Sequence, residues 1–354
     1  MSGNRAANVV GLGLIGGSIA LALTERGWSV SGYDENPARL DQAMAMGVIT
    51  APELNPDAAI TFVATPVLAV VDQVKRSLAE TTGLVTDVGG VKAAVVAAID
   101  DPRFVGGHPM AGSELDGLDG ADGSMFAGAV WVLTPSSSTA DSTFSAVAAV
   151  VAELGADVVA LPADRHDLTV AVISHVPHLT AATLMGLASD RAEEHASLLR
   201  LAAGGFRDMT RIASGQPTIW LDICAHNRSA ILSALDGLIE GLQGMRAVVD
   251  NDDRDELHRL LSNARDARAN LPARGTHPGE LCEVRIPIPD RPGAAAEVFT
   301  LAAELGVNIA SFEVVHSVEG NRGVAVLLVD ALKVEMYRGG LLARGYRPAV
   351  QRLS

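Results

Sequence analysis

A glycine-rich turn near the start of the chain, NVVGLGLIGG at residues 8–17, constrains the fold more than any other feature. It follows a short apolar run, carries the spacing G-x-G-x-x-G, and leads into the helical pattern SIALALTERG. A strand that enters such a turn and continues as a helix forms a cradle for a pyrophosphate, because the glycines permit a tight turn and a close approach of the backbone to the phosphates. The helix N-terminus adds N–H donors and a positive dipole. We therefore expect a dinucleotide to bind at Gly11, Leu12, Gly13, Leu14, Ile15 and Gly16.

An acidic residue closes the second apolar run and narrows the choice of dinucleotide. The run is WSVSGYD, and its final residue, Asp34, lies 18 positions after Gly16. A carboxylate at this place accepts hydrogen bonds from both ribose hydroxyls and repels a 2′-phosphate. The sequence therefore predicts NAD rather than NADP. The alternative is a glycine-rich turn that binds no ligand.

Composition argues against several classes of protein. The chain has 354 residues, enough for two or three domains, and its formal net charge of −15 argues against nucleic-acid binding. Its two cysteines, Cys224 and Cys282, are far apart and lack metal-ligand spacing, so we expect neither a disulfide framework nor a metal site. We find no N-terminal targeting signal and no apolar run of membrane-spanning length, which makes a reducing cytoplasm the expected location.

The first part of the chain, residues 1–163, alternates short apolar runs with helical patterns. This alternation is typical of an α/β domain with a Rossmann-like, doubly wound parallel sheet. The predicted strands are 6–10, 28–33, 58–64, 83–87, 103–107, 129–133 and 156–161. Ligands bind at the carboxyl ends of such strands. There the sequence places Thr65 and Asp87, which we expect to contact the cofactor, and the loop GGHPMAGSELDG, which contains His108 and Glu114.

Residues 164–270 show helical periodicity without strand signals. His175 and His178 lie three positions apart and therefore share a helix face, and Pro177 between them predicts a kink or a local break. Residues 218–249 are expected to form one long amphipathic helix. Its apolar stripe is larger than a single short bundle needs, so we expect it to pack against a second subunit in a homodimer.

The pattern changes again in the C-terminal part. Residues 271–280 are rich in proline and glycine and have no apolar period, which predicts a linker. Residues 281–354 then read as β-α-β-β-α-β, the order of a ferredoxin-like unit.

Three segments together resemble the prephenate/arogenate dehydrogenase family, whose members make the precursor of tyrosine. They are VVGLGLIGGSIA, GGHPMAGSE, and ISHVPH with GGFRDMTRIA, and they occur in colinear order over about residues 6–270. The resemblance implies an all-α second domain of the 6-phosphogluconate-dehydrogenase-like type. The phrase DRPGAAAEVF…GVNI at 290–309 resembles the amino-acid-binding loop and helix of an ACT domain.

The implied reaction is an NAD-dependent oxidative decarboxylation of prephenate or arogenate. A hydride passes from C4 of the cyclohexadienol to the nicotinamide, the C4 hydroxyl loses its proton, and loss of CO₂ makes the ring aromatic. By resemblance, His108 is the catalytic histidine that polarises the C4 hydroxyl, and Arg211 pairs with the ring carboxylate of the substrate. Relatives carry a pocket histidine at the position of His166 as well. The other implied substrate-binding residues are Glu114, His175, His178 and Trp220.

The ACT resemblance implies feedback control by an aromatic amino acid, with tyrosine as the expected effector. The effector would bind at Asp290, Gly293 and Asn308. The alternative is a module that serves only assembly.

One position departs from the family pattern and leaves room for competing functions. Relatives read D-V-x-S-V-K, whereas this chain has Gly90 in TDVGGVK, so His108 lacks the serine hydroxyl that accompanies it in relatives. A β-hydroxyacid dehydrogenase would use a lysine from the helical domain, and residues 164–275 contain none. A non-catalytic sensor of NAD and amino acids stays open, as does the choice between prephenate and arogenate.

Overall fold

The computed structural model describes residues 5–112, 115–192, 202–271, 281–289, 291, 293–316 and 322–352. Glu114 and Asp290, both predicted site residues, lie outside these ranges. The chain divides into two compact units, Met1–Asn251 and Asp252–Ser354.

A seven-stranded sheet organises the first unit. Its strands are β1 (Ala6–Val10), β2 (Ser29–Tyr33), β3 (Ile60–Val63), β4 (Leu84–Asp87), β5 (Phe104–Pro109), β6 (Val130–Thr134) and β7 (Asp157–Ala160). The spatial order is β2-β1-β3-β4-β5-β6-β7, and β1 to β5 are parallel. The Rossmann-like sheet predicted from the apolar runs is therefore confirmed, and its carboxyl ends meet at one edge.

The prediction of a parallel sheet is wrong at its last two strands, β6 and β7. β6 runs antiparallel to β5, and β7 is again parallel to β6. A parallel neighbour requires a crossover connection, usually a helix. The described residues between β5 and β6 form only a short 3₁₀ turn, Leu118–Gly120, so the chain returns directly beside β5.

Helices and buried aromatic rings complete the core of this sheet. Between the strands lie α1 (Leu14–Glu25), α2 (Pro37–Ala45), α3 (Val67–Glu80), α4 (Ala93–Ala97) and α5 (Asp141–Glu153). Trp131 is fully buried, and its ring centroid lies 6.2 Å from that of Phe62 and 5.1 Å from that of Phe126. The whole run of β3 is buried, as expected for a central parallel strand.

The rest of the first unit is helical. Its helices are α6 (Ala163–Val170), α7 (Val176–Ala192), α8 (Gly204–Thr210), α9 (Pro217–His226) and α10 (Arg228–Asp250). The break predicted at Pro177 is confirmed, because one π-helical turn, Ala171–His175, separates α6 from α7. Proline lacks an N–H donor and its ring collides with the carbonyl four residues earlier, and the wider turn relieves both problems.

The single long helix expected at 218–249 is two helices. α9 ends at His226, and α10 begins at Arg228 after Asn227, whose backbone leaves the helical region at φ −110° and ψ 28°. The side chain of Asn227 is buried and forms hydrogen bonds with other elements. Tertiary contacts at one polar residue therefore override the continuous helical period.

One helical stretch of the described residues, Ala163–Asp190, is long and apolar enough to cross a membrane by length and composition alone. The apolar runs of the sequence do not predict it. The core helix of a soluble protein passes the same test, and here the buried side chains of His166 and Asp167 form hydrogen bonds with His108 of β5 and with the backbone N–H of Lys92. The stretch is therefore weak evidence for a membrane span.

The second unit contains a small antiparallel sheet. After α11 (Arg254–Ala269) come β8 (Leu281–Pro289), α12 (Ala294–Glu304), β9 (Ile309–His316), β10 (Arg322–Asp330), α13 (Val334–Ala343) and β11 (Ala349–Arg352). The strand order is β11-β8-β10-β9. The hydroxyl of the buried Tyr337 donates a hydrogen bond to the carbonyl of Val298 at 3.0 Å, which ties α13 to α12. From β8 onward the elements follow the predicted order.

Two glycines of the first turn serve different purposes, which a pair of substitutions can separate. A Cβ at position 16 would overlap the carbonyl oxygen of Gly11, whereas a Cβ at position 13 would meet no atom within 4 Å. We expect Gly16→Ala to lower the unfolding free energy by about 1–3 kcal/mol, because the turn has to shift. Gly13→Ala is expected to keep the melting temperature and to weaken dinucleotide binding. Thermal unfolding with and without NAD measures both effects, and equal melting temperatures for the two variants would contradict this assignment.

Candidate active site

The glycine turn and Asp34 are held together at the carboxyl ends of β1 and β2. One oxygen of the buried Asp34 carboxylate accepts the N–H of Leu12 at 2.8 Å, and the other accepts the N–H of Asn36 at 2.8 Å. Gly11 has a φ of 91°, which favours glycine. A carboxylate is therefore placed directly beside the turn, as the predicted NAD site requires.

Two features of this turn fit a dinucleotide. The space at the Cβ position of Gly13 is open, so a ligand can approach the backbone closely. The hydroxyl oxygen of Thr65, at the end of β3, is buried and has no hydrogen-bond partner among the described residues. The methyl group of Thr65 lies 3.2 Å from the point that a Cβ at position 11 would occupy. A buried polar group without a partner at such a turn fits a site that a ligand completes.

Asp87, at the end of β4, has a different environment from the one we expected. Its fully buried carboxylate accepts the N–H of Gly89 at 2.9 Å and that of Gly107 at 3.2 Å, and it forms an ion pair with buried Lys92. Burial lowers the pKa of Lys92, and the attraction of Asp87 opposes part of that effect. The carboxylate therefore ties β4 to β5, and any contact of this residue with a cofactor must come from its backbone.

The two glycines before His108 allow β5 to pack tightly. A Cβ at Gly106 would overlap the hydroxyl of Thr134, and a Cβ at Gly107 would lie 2.7 Å from the carbonyl oxygen of Asp87. Both contacts are too short for a side chain. Close packing of β5 thus fixes His108 at the end of the strand, where it is half-buried.

A chain of hydrogen bonds leads from His108 into the helical part. Nδ1 of His108 lies 2.8 Å from Nε2 of His166, and Nδ1 of His166 lies 2.8 Å from Oδ1 of Asp167. The carboxylate of Asp167 also accepts the backbone N–H groups of Lys92 at 2.8 Å and Ala93 at 2.9 Å, where α4 begins. Three donors therefore converge on one carboxylate.

Electrostatics keep these groups in defined protonation states. Burial lowers the pKa of His108 well below its usual value, and the neighbouring His166 and Lys92 act in the same direction. Burial alone would raise the pKa of the Asp167 carboxyl, but hydrogen bonds from His166 and from two backbone N–H groups outweigh it and lower the pKa. At neutral pH the site thus combines a neutral His108 with an ionised Asp167.

A side chain would fit at position 90 without a clash. A Cβ at Gly90 would lie 3.8 Å from Nε2 and 3.9 Å from Cε1 of His108, which are ordinary contact distances. Gly90 therefore leaves the outer edge of the His108 ring uncovered on this side.

Three predicted substrate residues form a second cluster, His175 at the end of the π-helical turn, His178 on α7 and Trp220 on α9. The rings of His178 and Trp220 stack with a centroid distance of 3.6 Å and an interplanar angle of 13°, and His175 meets Trp220 edge-on at 6.1 Å. Burial lowers the pKa of His178 and lowers that of His175 to about 4. Both imidazoles are therefore neutral at physiological pH.

Asn227 joins the two clusters. Its amide nitrogen lies 2.8 Å from the carbonyl oxygen of Asp167 and 3.2 Å from Nδ1 of His175. Sequence reasoning missed both Asn227 and Asp167. The available signals were an asparagine between two helical runs and the acidic residue that follows His166 in DRHD.

Arg211 begins a short 3₁₀ turn, Arg211–Ser214, that leads to this cluster. It is exposed at the end of α8, and its carbonyl accepts the hydroxyl of Ser214 at 2.9 Å. The turn continues to Gly215, whose Cβ position is 3.3 Å from Cε1 of His178 and 3.5 Å from Nε1 of Trp220. Within the described ranges, no three His, Cys, Asp or Glu side chains are placed to hold a metal ion.

The neutral state of buried His175 makes the stability of the fold depend on pH. Its pKa in the folded state, about 4, is below the value of about 6.5 expected for an unfolded chain, so the unfolded state binds more protons between these values. The unfolding free energy should therefore be highest above pH 6.5 and fall by up to about 3 kcal/mol as the pH drops to 4.

Urea unfolding of the full chain from pH 4 to 8 measures this dependence. His175→Gln should flatten the curve, whereas His226→Gln, at an exposed histidine of α9, should leave it unchanged. An equally steep curve for His175→Gln would contradict the assignment.

Comparisons with known proteins agree with this arrangement. The family profile described as the prephenate dehydrogenase nucleotide-binding domain matches residues 19–160, and the one described as the prephenate dehydrogenase dimerization domain matches residues 162–263. The prephenate dehydrogenase of Bacillus subtilis (strain 168) is 34% identical over 333 residues, which cover 89% of this chain and 90% of that protein.

Two solved structures extend the comparison. The crystal structure of Synechocystis arogenate dehydrogenase has a TM-score of 0.66 at 29% identity and covers 75% of this chain and 99% of its own. The crystal structure of prephenate dehydrogenase from A. aeolicus, in complex with hydroxyphenyl propionate and NAD⁺, has a TM-score of 0.72 at 27% identity and covers 77% of this chain and 99% of its own. The family predicted from the three sequence segments is confirmed: the chain belongs to the prephenate dehydrogenase family.

Proposed function

We propose that the chain is an NAD-dependent prephenate dehydrogenase, which converts prephenate to 4-hydroxyphenylpyruvate and CO₂ in tyrosine biosynthesis. The observation that carries this proposal is a neutral His108 at the carboxyl end of β5, on the same sheet edge as the glycine turn and Asp34. A hydrogen-bond acceptor and a dinucleotide cradle on one sheet edge suit hydride removal from a carbon that bears a hydroxyl.

The chemistry follows from the residues that surround His108. Bound NAD supplies the hydride acceptor. His108 accepts the proton of the C4 hydroxyl as the hydride leaves C4, and loss of CO₂ from C1 then makes the ring aromatic. The proton on His108 can return to the phenolate oxygen, so the reaction consumes no external acid or base. Because the product is aromatic, the decarboxylation requires no metal ion.

The helical part provides the groups for the rest of the substrate. We assign Arg211 to the ring carboxylate, because a guanidinium binds a carboxylate through two parallel hydrogen bonds. His175, His178 and Trp220 form a pocket wall of neutral rings, and we keep Glu114 as a proposed member of the pocket. Cofactor binding is assigned to the glycine turn, Asp34, Thr65 and the backbone at Asp87.

The proposed domain organisation follows these assignments. Residues 1–163 form the NAD-binding domain, 164–270 the helical substrate and dimerisation domain, 271–280 a linker, and 281–354 an ACT regulatory domain. Apolar side chains on α9 and α10 support a homodimer, since Leu221 is 70% and Leu242 is 58% exposed in the single chain. We assign the enzyme to the cytoplasm.

An assay of NAD reduction tests the proposed activity. The full chain with prephenate should form NADH, with a kcat/KM at least about tenfold lower for NADP because Asp34 repels the 2′-phosphate. His108→Asn should lower kcat by about 10²–10⁴-fold, while His226→Asn serves as the control. Faster turnover with arogenate would favour an arogenate dehydrogenase. A folded chain that forms NADH from neither substrate would leave the sensor as the better account.

The C-terminal unit supports a proposal of feedback control by tyrosine. Its element order is β-α-β-β-α-β, and Gly293 adopts a φ of 88° immediately before α12. A glycine in this conformation opens a turn at a helix start, which suits an amino-acid-binding loop. Asn308 is exposed between α12 and β9, and we assign it with Gly293 and Asp290 to the effector site.

Calorimetric titration of the full chain tests this regulatory site. Tyrosine should bind and lower the rate of NADH formation, with phenylalanine as the comparison ligand. Asn308→Ala should weaken binding by about tenfold, on the scale of one lost hydrogen bond, and the exposed Gln351→Ala should not. No heat and an unchanged rate at saturating tyrosine would instead indicate a module for assembly.

A further inference from the structure

We propose that His166 and Asp167 are positioning residues that fix the tautomer and the ring orientation of His108, in place of the hydroxyl that this chain lacks at position 90. The inference rests on the proposed dehydrogenase function for its kinetic consequences. Its structural content, the position of one proton, is independent of any activity.

The direction of each hydrogen bond follows from the carboxylate. Asp167 accepts two backbone N–H groups, which keeps it ionised, so its remaining partner must also be a donor. His166 therefore carries its proton on Nδ1, facing Asp167 at 2.8 Å. In the proposed arrangement this is the N–H group that His166 donates, and Nε2 of His166 is an acceptor.

The same reasoning determines the state of His108. Its Nδ1 lies 2.8 Å from the acceptor Nε2 of His166 and must donate the proton. Nε2 of His108 is then left with a free lone pair. This nitrogen is the atom that lies 3.8 Å from the Cβ position of Gly90, where space is open. The hydrogen bonds thus present an acceptor at the place where the substrate hydroxyl has to lose its proton.

Orientation matters because position 90 offers no polar group. Imidazole χ2 has two broad minima, and a flip of the ring exchanges Nδ1 with Cδ2. The family pattern has a serine at this position, whereas this chain has Gly90. Here the geometry holds the ring from the opposite side: the two imidazoles meet edge-on, with centroids 5.0 Å apart and an interplanar angle of 73°. Because His166 and Asp167 are both buried, solvent does not compete for these hydrogen bonds.

A matched pair of variants at His166 separates positioning from packing. His166→Gln keeps an amide oxygen that can accept the Nδ1 proton of His108, whereas His166→Leu fills a similar volume without an acceptor. We expect His166→Leu to lower kcat by about 100-fold with little change in the KM for NAD. His166→Gln should lose less than about tenfold. The exposed His226→Leu is the control, and thermal unfolding with NAD reports whether each variant is folded.

Nitrogen NMR of the histidine rings tests the proposal without any turnover. In the full-length wild type at pH 7.5, the ring signals assigned by comparison with His108→Gln should show the proton of His108 on Nδ1. His166→Leu should shift that proton to Nε2 or average the two states.

The possible results distinguish the proposed dehydrogenase function from the proposed positioning role of His166 and Asp167. A wild type that forms no NADH overturns the dehydrogenase function and leaves the proton position measurable. A His108 that carries its proton on Nε2 in the wild type overturns the positioning role. A folded His166→Leu variant with unchanged kcat overturns it as well, whatever the spectra show.

Discussion

The carboxylate of Asp167 is the contact on which the rest of the site depends. It lies on α6, in the helical part of the first unit, yet two of its three hydrogen bonds come from the start of α4 and the third comes from His166. Its own backbone carbonyl accepts the amide of Asn227. Hydrogen bonds to an ionised group are stronger than those between neutral groups. One buried anion therefore fixes the helical part against the sheet at the place where His108 emerges.

Glycines at three positions are the second feature on which the site depends. The backbone has to approach other atoms closely at Gly16, where the first turn closes, and at Gly106 and Gly107, where β5 passes β4 and β6. No side chain fits at these three positions. The result is a sheet edge that carries an open cradle at one end and a firmly held histidine a few strands away. Tight packing of the backbone thus creates the room that the ligands need.

Much of the fold could be predicted from local patterns. Apolar runs predicted all seven strands of the large sheet to within a few residues. A buried parallel strand is a nearly continuous run of apolar residues, which is visible in the sequence. The antiparallel pairing of β6 could not be predicted in this way, since strand direction depends on the path of a connecting loop. The break at Asn227 was missed for a similar reason. Its cause is a hydrogen bond to Asp167, 60 residues earlier in the chain.

The residues of the site also divide into those that a local motif indicates and those that only the folded chain brings together. His108, Asp34 and the glycine turn stand in motifs whose chemistry is local, so the sequence indicated them. The contact between His108 and His166 spans 58 positions, and that between Lys92 and Asp167 spans 75. No periodicity connects residues so far apart. From the sequence, Gly90 therefore indicated a missing hydroxyl beside His108, whereas the folded chain holds His108 from its other side.

A crystal structure of the full chain with NAD and 4-hydroxyphenylpyruvate would test the central claim most directly. The account predicts that the phenol oxygen lies within hydrogen-bonding distance of Nε2 of His108, while Nδ1 keeps its contact with His166 at about 2.8 Å. A phenol oxygen bound elsewhere, or a His108 ring that has turned away from His166 to meet it, would contradict the account.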